Sequence, residues 1–230
     1  MAIFVDIGNT NVKILGQKIS TPEFDICDFF EHNDFIFSSV VPKVLEHTVE
    51  KLKKANKTFM IINKDSSFSF EHGHVLGVGT DLLLAAEGAL SLCNPPFCVV
   101  AAGTAAVTLF VSLRNGKPFY EGGVIMPGFG MQTDMLNQRT AQLPKIEHTK
   151  PSSCLCTKTV DALNAGVCIG LTKGIEAVIS CAEKELGTKL NKRFSTGGDG
   201  KFLKENSDMD FEYVEDLLFK GMESVHRRMK

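Results

Sequence analysis

Ile3-Phe4-Val5-Asp6-Ile7-Gly8-Asn9-Thr10-Asn11-Val12-Lys13-Ile14-Leu15 opens the chain with a β-prone run, a cluster of turn residues and a return to apolar side chains. That order predicts two strands joined as a hairpin with Gly8, Asn9 and Thr10 at the tip. The same tip suits a phosphate. Backbone N–H groups at Gly and Asn can curl round an anion, the Thr hydroxyl can donate to it, and Asp6 at the strand end can hold Mg2+ through water. A plain hairpin turn, with Gly and Asn present only for positive φ, has the same spelling.

The pattern recurs. After Asn94-Pro95-Pro96, the run Phe97 to Ala102 reads as a core strand that ends in Gly103-Thr104-Ala105, and a second strand, Val107 to Leu113, leads to an Arg114-Asn115-Gly116 turn. Two strand, glycine loop, strand units predict an α/β protein of two similar lobes, residues 1–95 and 96–230. Between them lie a strand from Phe35 to Val41, a helix after Pro42, a strand at Thr58 to Ile62 and a buried helix from Asp81 to Leu92. Beyond them a long helix is expected over Thr159 to Leu186, a tight loop at Thr196-Gly197-Gly198-Asp199 and a terminal helix over Tyr213 to Met229. Gly166, Gly170 and Gly174 put small residues on one face of the long helix, which suits close approach of another helix, the partner's in a homodimer or the chain's own sheet.

Composition excludes several classes. Net charge is -2 with both signs scattered along 230 residues, so no footprint for nucleic acid or anionic lipid is expected. Seven cysteines, an odd number with several inside apolar runs, fit a reducing compartment. Cys154 and Cys156 are a lone close pair without the further ligands of a closed zinc site. The N-terminus carries no basic segment, and apolar runs are broken short of a membrane span, so a soluble cytoplasmic protein is expected.

Gly103-Thr104-Ala105 and Thr196-Gly197-Gly198-Asp199 are weak signals singly, but three glycine loops, each following a β-prone run, are what a nucleotide clamped between two lobes requires. Together with Ser39-Val40-Val41-Pro42, Gly79-Thr80-Asp81, Gly122-Gly123-Val124-Ile125-Met126-Pro127-Gly128 and Thr140-Ala141-Gln142-Leu143-Pro144, they occur in the order found in type III pantothenate kinases, the Bvg accessory factor family. The chain resembles that family over nearly its whole length.

The resemblance implies two ribonuclease H-like lobes, as in the acetate and sugar kinase, Hsp70 and actin superfamily, with a nucleotide cleft between them. It implies transfer of the ATP γ-phosphoryl group to the 4′-hydroxyl of pantothenate, with Mg2+ and a monovalent cation (K+ or NH4+), in a homodimer. Asp81 then corresponds to the general base. Asp6, Gly8, Asn9, Thr10, Lys13, Gly103, Thr104, Ala105, Gly197 and Gly198 correspond to nucleotide-binding positions. Gly77, Gly79, Thr80, Asp81 and Thr159 correspond to pantothenate-binding positions, Thr159 closing over the partner subunit's substrate. Three positions depart from the family pattern: Leu82 stands for an Arg, Ala101 for an Asp, and Leu109 for a further Asp. A non-catalytic homologue that binds nucleotide or pantothenate, and a kinase for another small alcohol, are the alternatives these departures raise.

Overall fold

The computed structural model describes residues Ala2 to Lys230 and contains two five-stranded mixed sheets. The first has β1 (Ile3–Ile7), β2 (Asn11–Ile14), β3 (Gln17–Ser20), β4 (Asp34–Ser39) and β5 (Thr58–Ile61), in the order β3-β2-β1-β4-β5. The second has β6 (Phe97–Ala102), β7 (Ala105–Arg114), β8 (Lys117–Pro127), β9 (Lys192–Thr196) and β10 (Glu212–Tyr213), in the order β10-β9-β6-β7-β8. In each, the first three strands form an antiparallel meander and the last two add in parallel to its first strand. The two topologies are therefore the same, β6 standing for β1, and the repeat read from the two glycine hairpins is a repeat of structure.

By their contacts, the residues up to Ser69 group with Gly73–Ser91 and Leu217–Lys230, and Phe70–His72 group with Leu92–Asp216. A cut at 95/96 thus separates the two sheets, while the last helix, α6 (Leu217–Met229), packs in the first unit. This helix begins later than the amphipathic pattern from Tyr213 suggests, because Glu212 and Tyr213 pair with Phe194 and Ser195 as β10. Sheet pairing there overrides local propensity.

In the first unit, strand alternation sorts the side chains cleanly. Ile3, Val5, Ile7, Val12, Ile14, Phe35 and Phe37 form one core with Leu52 of α1 (Pro42–Lys54). Phe4 and Ile36 face the other way, toward Leu84 of α2 (Thr80–Leu90) and Met222 and Val225 of α6. The helices α2 and α6 meet backbone to backbone. A Cβ on Gly88 would lie 2.0 Å from the Leu217 carbonyl oxygen, and one on Gly221 would lie 1.9 Å from that of Leu84. Beside this crossing the buried Glu87 carboxylate accepts from the Ser69 N–H (2.8 Å) and hydroxyl (2.9 Å), the Ser224 hydroxyl (2.9 Å) and Arg228 (2.7 Å). Gly221→Ala is expected to lower stability by about 1–3 kcal/mol through overpacking, read as a lower urea midpoint with unchanged slope.

In the second unit α3 (Phe129–Arg139), α4 (Thr159–Leu186) and α5 (Gly200–Asn206) cover one face of the sheet. The expected helix over Thr159 to Leu186 forms with those bounds and ends on Gly187, whose φ of 66° places it in the left-handed region that glycine tolerates. This helix is long and apolar enough to cross a membrane, which the sequence reading did not anticipate. It is instead a core helix: Cys168, Leu171, Ile175 and Ile179, at helical spacing, are buried against Cys98, Val100, Ala106 and Phe110 of the sheet.

Candidate active site

In the first unit the side chains expected at the site collect at the C-terminal end of β1 and β4, where open α/β sheets present their ligands. Asp6 is the penultimate residue of β1, cross-strand partner of Lys13 on β2 and of Ser38 on β4. By alternation all three lie on the face that carries α2, whose first turn holds Asp81. The Gly8-Asn9-Thr10 tip is tight. Gly8 donates to the Asn11 carbonyl at 3.0 Å, the Thr21 hydroxyl donates to the Gly8 carbonyl at 2.8 Å, and the Thr21 N–H donates to the Thr10 carbonyl at 3.0 Å. Thr21, the first residue after β3, thus braces the loop.

Asp81 sits at the start of α2 after Gly77, Gly79 and Thr80. Gly77 has φ +72°, a backbone setting that favours glycine. Gly79 lies against the carboxylate: a Cβ there would fall 2.3 Å from Asp81 Oδ1, so a side chain at residue 79 would displace the carboxylate.

Both carboxylates are perturbed in the same direction. Burial pushes Asp6 up to about 7; Lys13 opposes this, and the nearby Asp81 charge reinforces it. No described residue donates a hydrogen bond to the Asp6 carboxylate. Burial also raises Asp81, offset by the backbone N–H groups of Leu82 and Asp81 itself and by Lys13. Two carboxylates, Asp6 buried and Asp81 half-buried, with Lys13 acting on both are short of positive charge, the electrostatic condition for holding a cation and for a carboxylate that accepts a proton more readily.

The second unit brings three glycine segments together. Gly103 donates to the Ala105 carbonyl at 3.0 Å, and Gly128 donates to the Thr104 carbonyl at 3.0 Å. A Cβ on Gly128 would fall 1.9 Å from the Gly103 carbonyl oxygen. Gly197, at φ +89°, lies against Ala102, whose carbonyl accepts the Asp199 N–H at 3.0 Å. The hairpin loop at 103–105, the end of β8 and the Gly197-Gly198 turn are one backbone cluster, with no space for a side chain at Gly128 or Gly197, while a Cβ on Gly103 or Gly198 would meet nothing within 4 Å. Gly128 was not among the expected site residues, although it lies in the quoted glycine-rich run. Asp199 is held by His148, 3.2 Å away, whose ring stacks on Phe129 at 5.1 Å and meets Phe202 edge-on at 4.9 Å. Nothing local in the sequence pairs His148 with Asp199. Thr159 is exposed at the first residue of α4.

The three departures occupy different environments. Leu82 follows Asp81 in α2 and is half-buried. Ala101 takes the place in β6 that Asp6 takes in β1, with Val107 and Thr196 as its cross-strand partners where Asp6 has Lys13 and Ser38. Leu109 is wholly buried between Val99 and Gly123, a core position for this chain.

Comparison with known proteins gives this geometry a family. A family model for type III pantothenate kinase matches residues 15–181. A type III pantothenate kinase of Sulfurihydrogenibium sp. (strain YO3AOP1) is 33% identical, the match covering 96% of this chain and 98% of that one. Among solved structures, a candidate transcriptional activator of the Baf family from Campylobacter jejuni superposes with a TM-score of 0.68 at 24% identity, covering 99% of this chain and 98% of that one. A candidate 2-dehydro-3-deoxygalactonokinase from Sinorhizobium meliloti shares the fold with a TM-score of 0.62 at 12% identity, covering 100% of this chain and 99% of that one. On the family match and the full-length relative, the chain belongs to the type III pantothenate kinase family.

Proposed function

We propose that the protein transfers the γ-phosphoryl group of ATP to the 4′-hydroxyl of pantothenate in the cytoplasm, with Asp81 as the general base. The observation that carries this reading is the pair of carboxylates, buried Asp6 and half-buried Asp81, on one face with Lys13, both with raised pKa. Asp81 accepts the hydroxyl proton as the oxygen attacks; Gly77, Gly79 and Thr80 shape the turn beneath the acceptor. The Gly8-Asn9-Thr10 tip with Lys13 receives the phosphates, as do Gly103, Thr104 and Ala105, while Gly197 and Gly198 leave room for the nucleoside. Phosphoryl transfer asks for positioning and charge compensation more than covalent chemistry, which fits a site built of backbone turns and few charges.

Asp6 would hold Mg2+: its carboxylate is buried, has no protein donor, and lies at the strand end beside the phosphate-binding turn. When bound, the ion offsets the negative charge of the phosphates. A monovalent cation fits less well. At residue 101 the side chain offers no oxygen, and the neighbouring Thr196 hydroxyl donates to the Glu215 carbonyl at 3.5 Å. No step here depends on such an ion.

The reading includes a homodimer formed by the second unit. Its support is an exposed apolar surface on α3 and the first half of α4, including Met131, Met135, Leu136, Val160 and Ile169. A Cβ on Gly166 or Gly170 would meet nothing within 4 Å, whereas Gly174 packs near Met126 of its own chain at 3.7 Å. The first two glycines therefore leave that surface flat. A dimer at micromolar concentration, converted to monomer by Ile169→Glu with loss of turnover as Thr159 leaves the partner's site, is the result expected from sedimentation and kinetics.

The function itself is tested by ADP release from purified protein with and without pantothenate. Pantothenate-dependent release supports the proposal. Release only with other alcohols points to a different small-alcohol kinase. Thermal stabilisation by ligands without turnover, not recovered by Ala101→Asp with Leu82→Arg, points to a binding protein.

A further inference from the structure

Ser38 and Ser39 are neighbours on β4 and face opposite ways. Ser39 closes a local turn, its hydroxyl accepting from the Val41 N–H at 3.0 Å and lying 3.2 Å from the Val41 carbonyl, just before Pro42 starts α1. Ser38 is wholly buried and its hydroxyl has no partner. A buried hydroxyl left unpaired is costly; Thr108, Thr172 and Ser195 share that state, but among these only Ser38 is the cross-strand partner of a carboxylate.

Ser38 is the cross-strand partner of Asp6, which in turn faces Lys13, so the three form a row across β4, β1 and β2, strands about 4.8 Å apart. The Asp6 carboxylate also lacks a protein donor. In the second unit the residue in the place of Ser38 is Thr196, whose partner is Ala101, and its hydroxyl is spent on the Glu215 carbonyl at 3.5 Å. Of these two equivalent hydroxyls, the one kept uncommitted is the one beside a carboxylate.

We infer that Ser38 is a positioning residue: its hydroxyl donates to one oxygen of Asp6 when magnesium and nucleotide bind, turning the other oxygen toward the metal. This rests on the kinase reading of Asp6. The test is calorimetric binding of a non-hydrolysable ATP analogue to the full chain, with Mg2+ and with EDTA. Ser38→Ala is expected to cut the magnesium-dependent gain in affinity by about tenfold, the scale of a hydrogen bond to a charged group. Affinity in EDTA stays unchanged and the melting temperature does not fall, since no existing bond is lost. Ser38→Thr keeps the gain, and Ser38→Ala has no further effect in an Asp6→Asn background. A normal gain in Ser38→Ala, or the same loss in both backgrounds, overturns the inference alone. Absence of any gain in the wild type overturns the magnesium role of Asp6 and the inference with it.

Discussion

Asp81→Asn is expected to lower pantothenate-dependent turnover by about a hundredfold or more while leaving affinity for an ATP analogue unchanged. The substitution is nearly isosteric, and Asn at the start of α2 keeps a polar group over Gly79, so the turn and helix should survive. What is lost is the proton acceptor. The amide cannot take up the hydroxyl proton, whereas the carboxylate, raised by burial and restrained by two backbone N–H groups and Lys13, can. In the proposed reading the phosphates are received by backbone turns such as Gly8-Asn9-Thr10 and not by Asp81, so nucleotide binding reports separately on folding. Steady-state kinetics and calorimetry on the same preparation check both halves. A turnover within tenfold of wild type would place the base elsewhere, and a parallel loss of nucleotide affinity would make Asp81 a structural residue of α2.

The positions of Asp6 and Asp81 were legible because each follows a local signal, a β-prone run into a glycine turn or a glycine turn into a helix. The duplicated sheet was legible for the same reason: its two hairpins are spelled alike at Asp6-Ile7-Gly8 and Ala101-Ala102-Gly103. Long-range facts were not. The packing of α6 on α2 depends on Gly88 and Gly221 meeting across the fold, and neither glycine differs locally from one in a loose turn. Ser38 reads as one more polar residue at a strand end until the register sets it beside Asp6. The His148 and Asp199 pair joins an irregular segment to the turn after β9, which no periodicity encodes. Leu109 illustrates the converse. Compared with a motif it is a missing carboxylate; in the sheet it is a core side chain with no access to solvent, where an unpaired charge would be costly.

Asp6→Asn should separate function from stability. Metal-free wild-type protein is expected to lose stability as pH rises from about 4 to about 7, the interval between the ordinary carboxyl value and the raised one. The sign follows from the protons: in that window the unfolded chain has released the Asp6 proton while the folded chain retains it, so raising the pH favours unfolding, and above the window the effect is constant. A rise from 3.8 to about 7 sets an upper bound of about 4 kcal/mol on this contribution. Asn cannot ionise. The variant in EDTA should therefore melt higher than wild type at pH 8, and the difference should shrink toward pH 4. Activity should move the other way, falling by about a hundredfold or more as the carboxylate for Mg2+ is removed, and magnesium with nucleotide should stabilise the wild type at pH 8 but not the variant. Melting curves across pH, with EDTA and with magnesium and nucleotide, decide the matter. Parallel pH profiles for the two proteins would mean that Asp6 is not a strained, buried carboxylate awaiting a cation. A variant that is inactive yet more stable would mean that the site is kept at the expense of the fold, as functional sites commonly are.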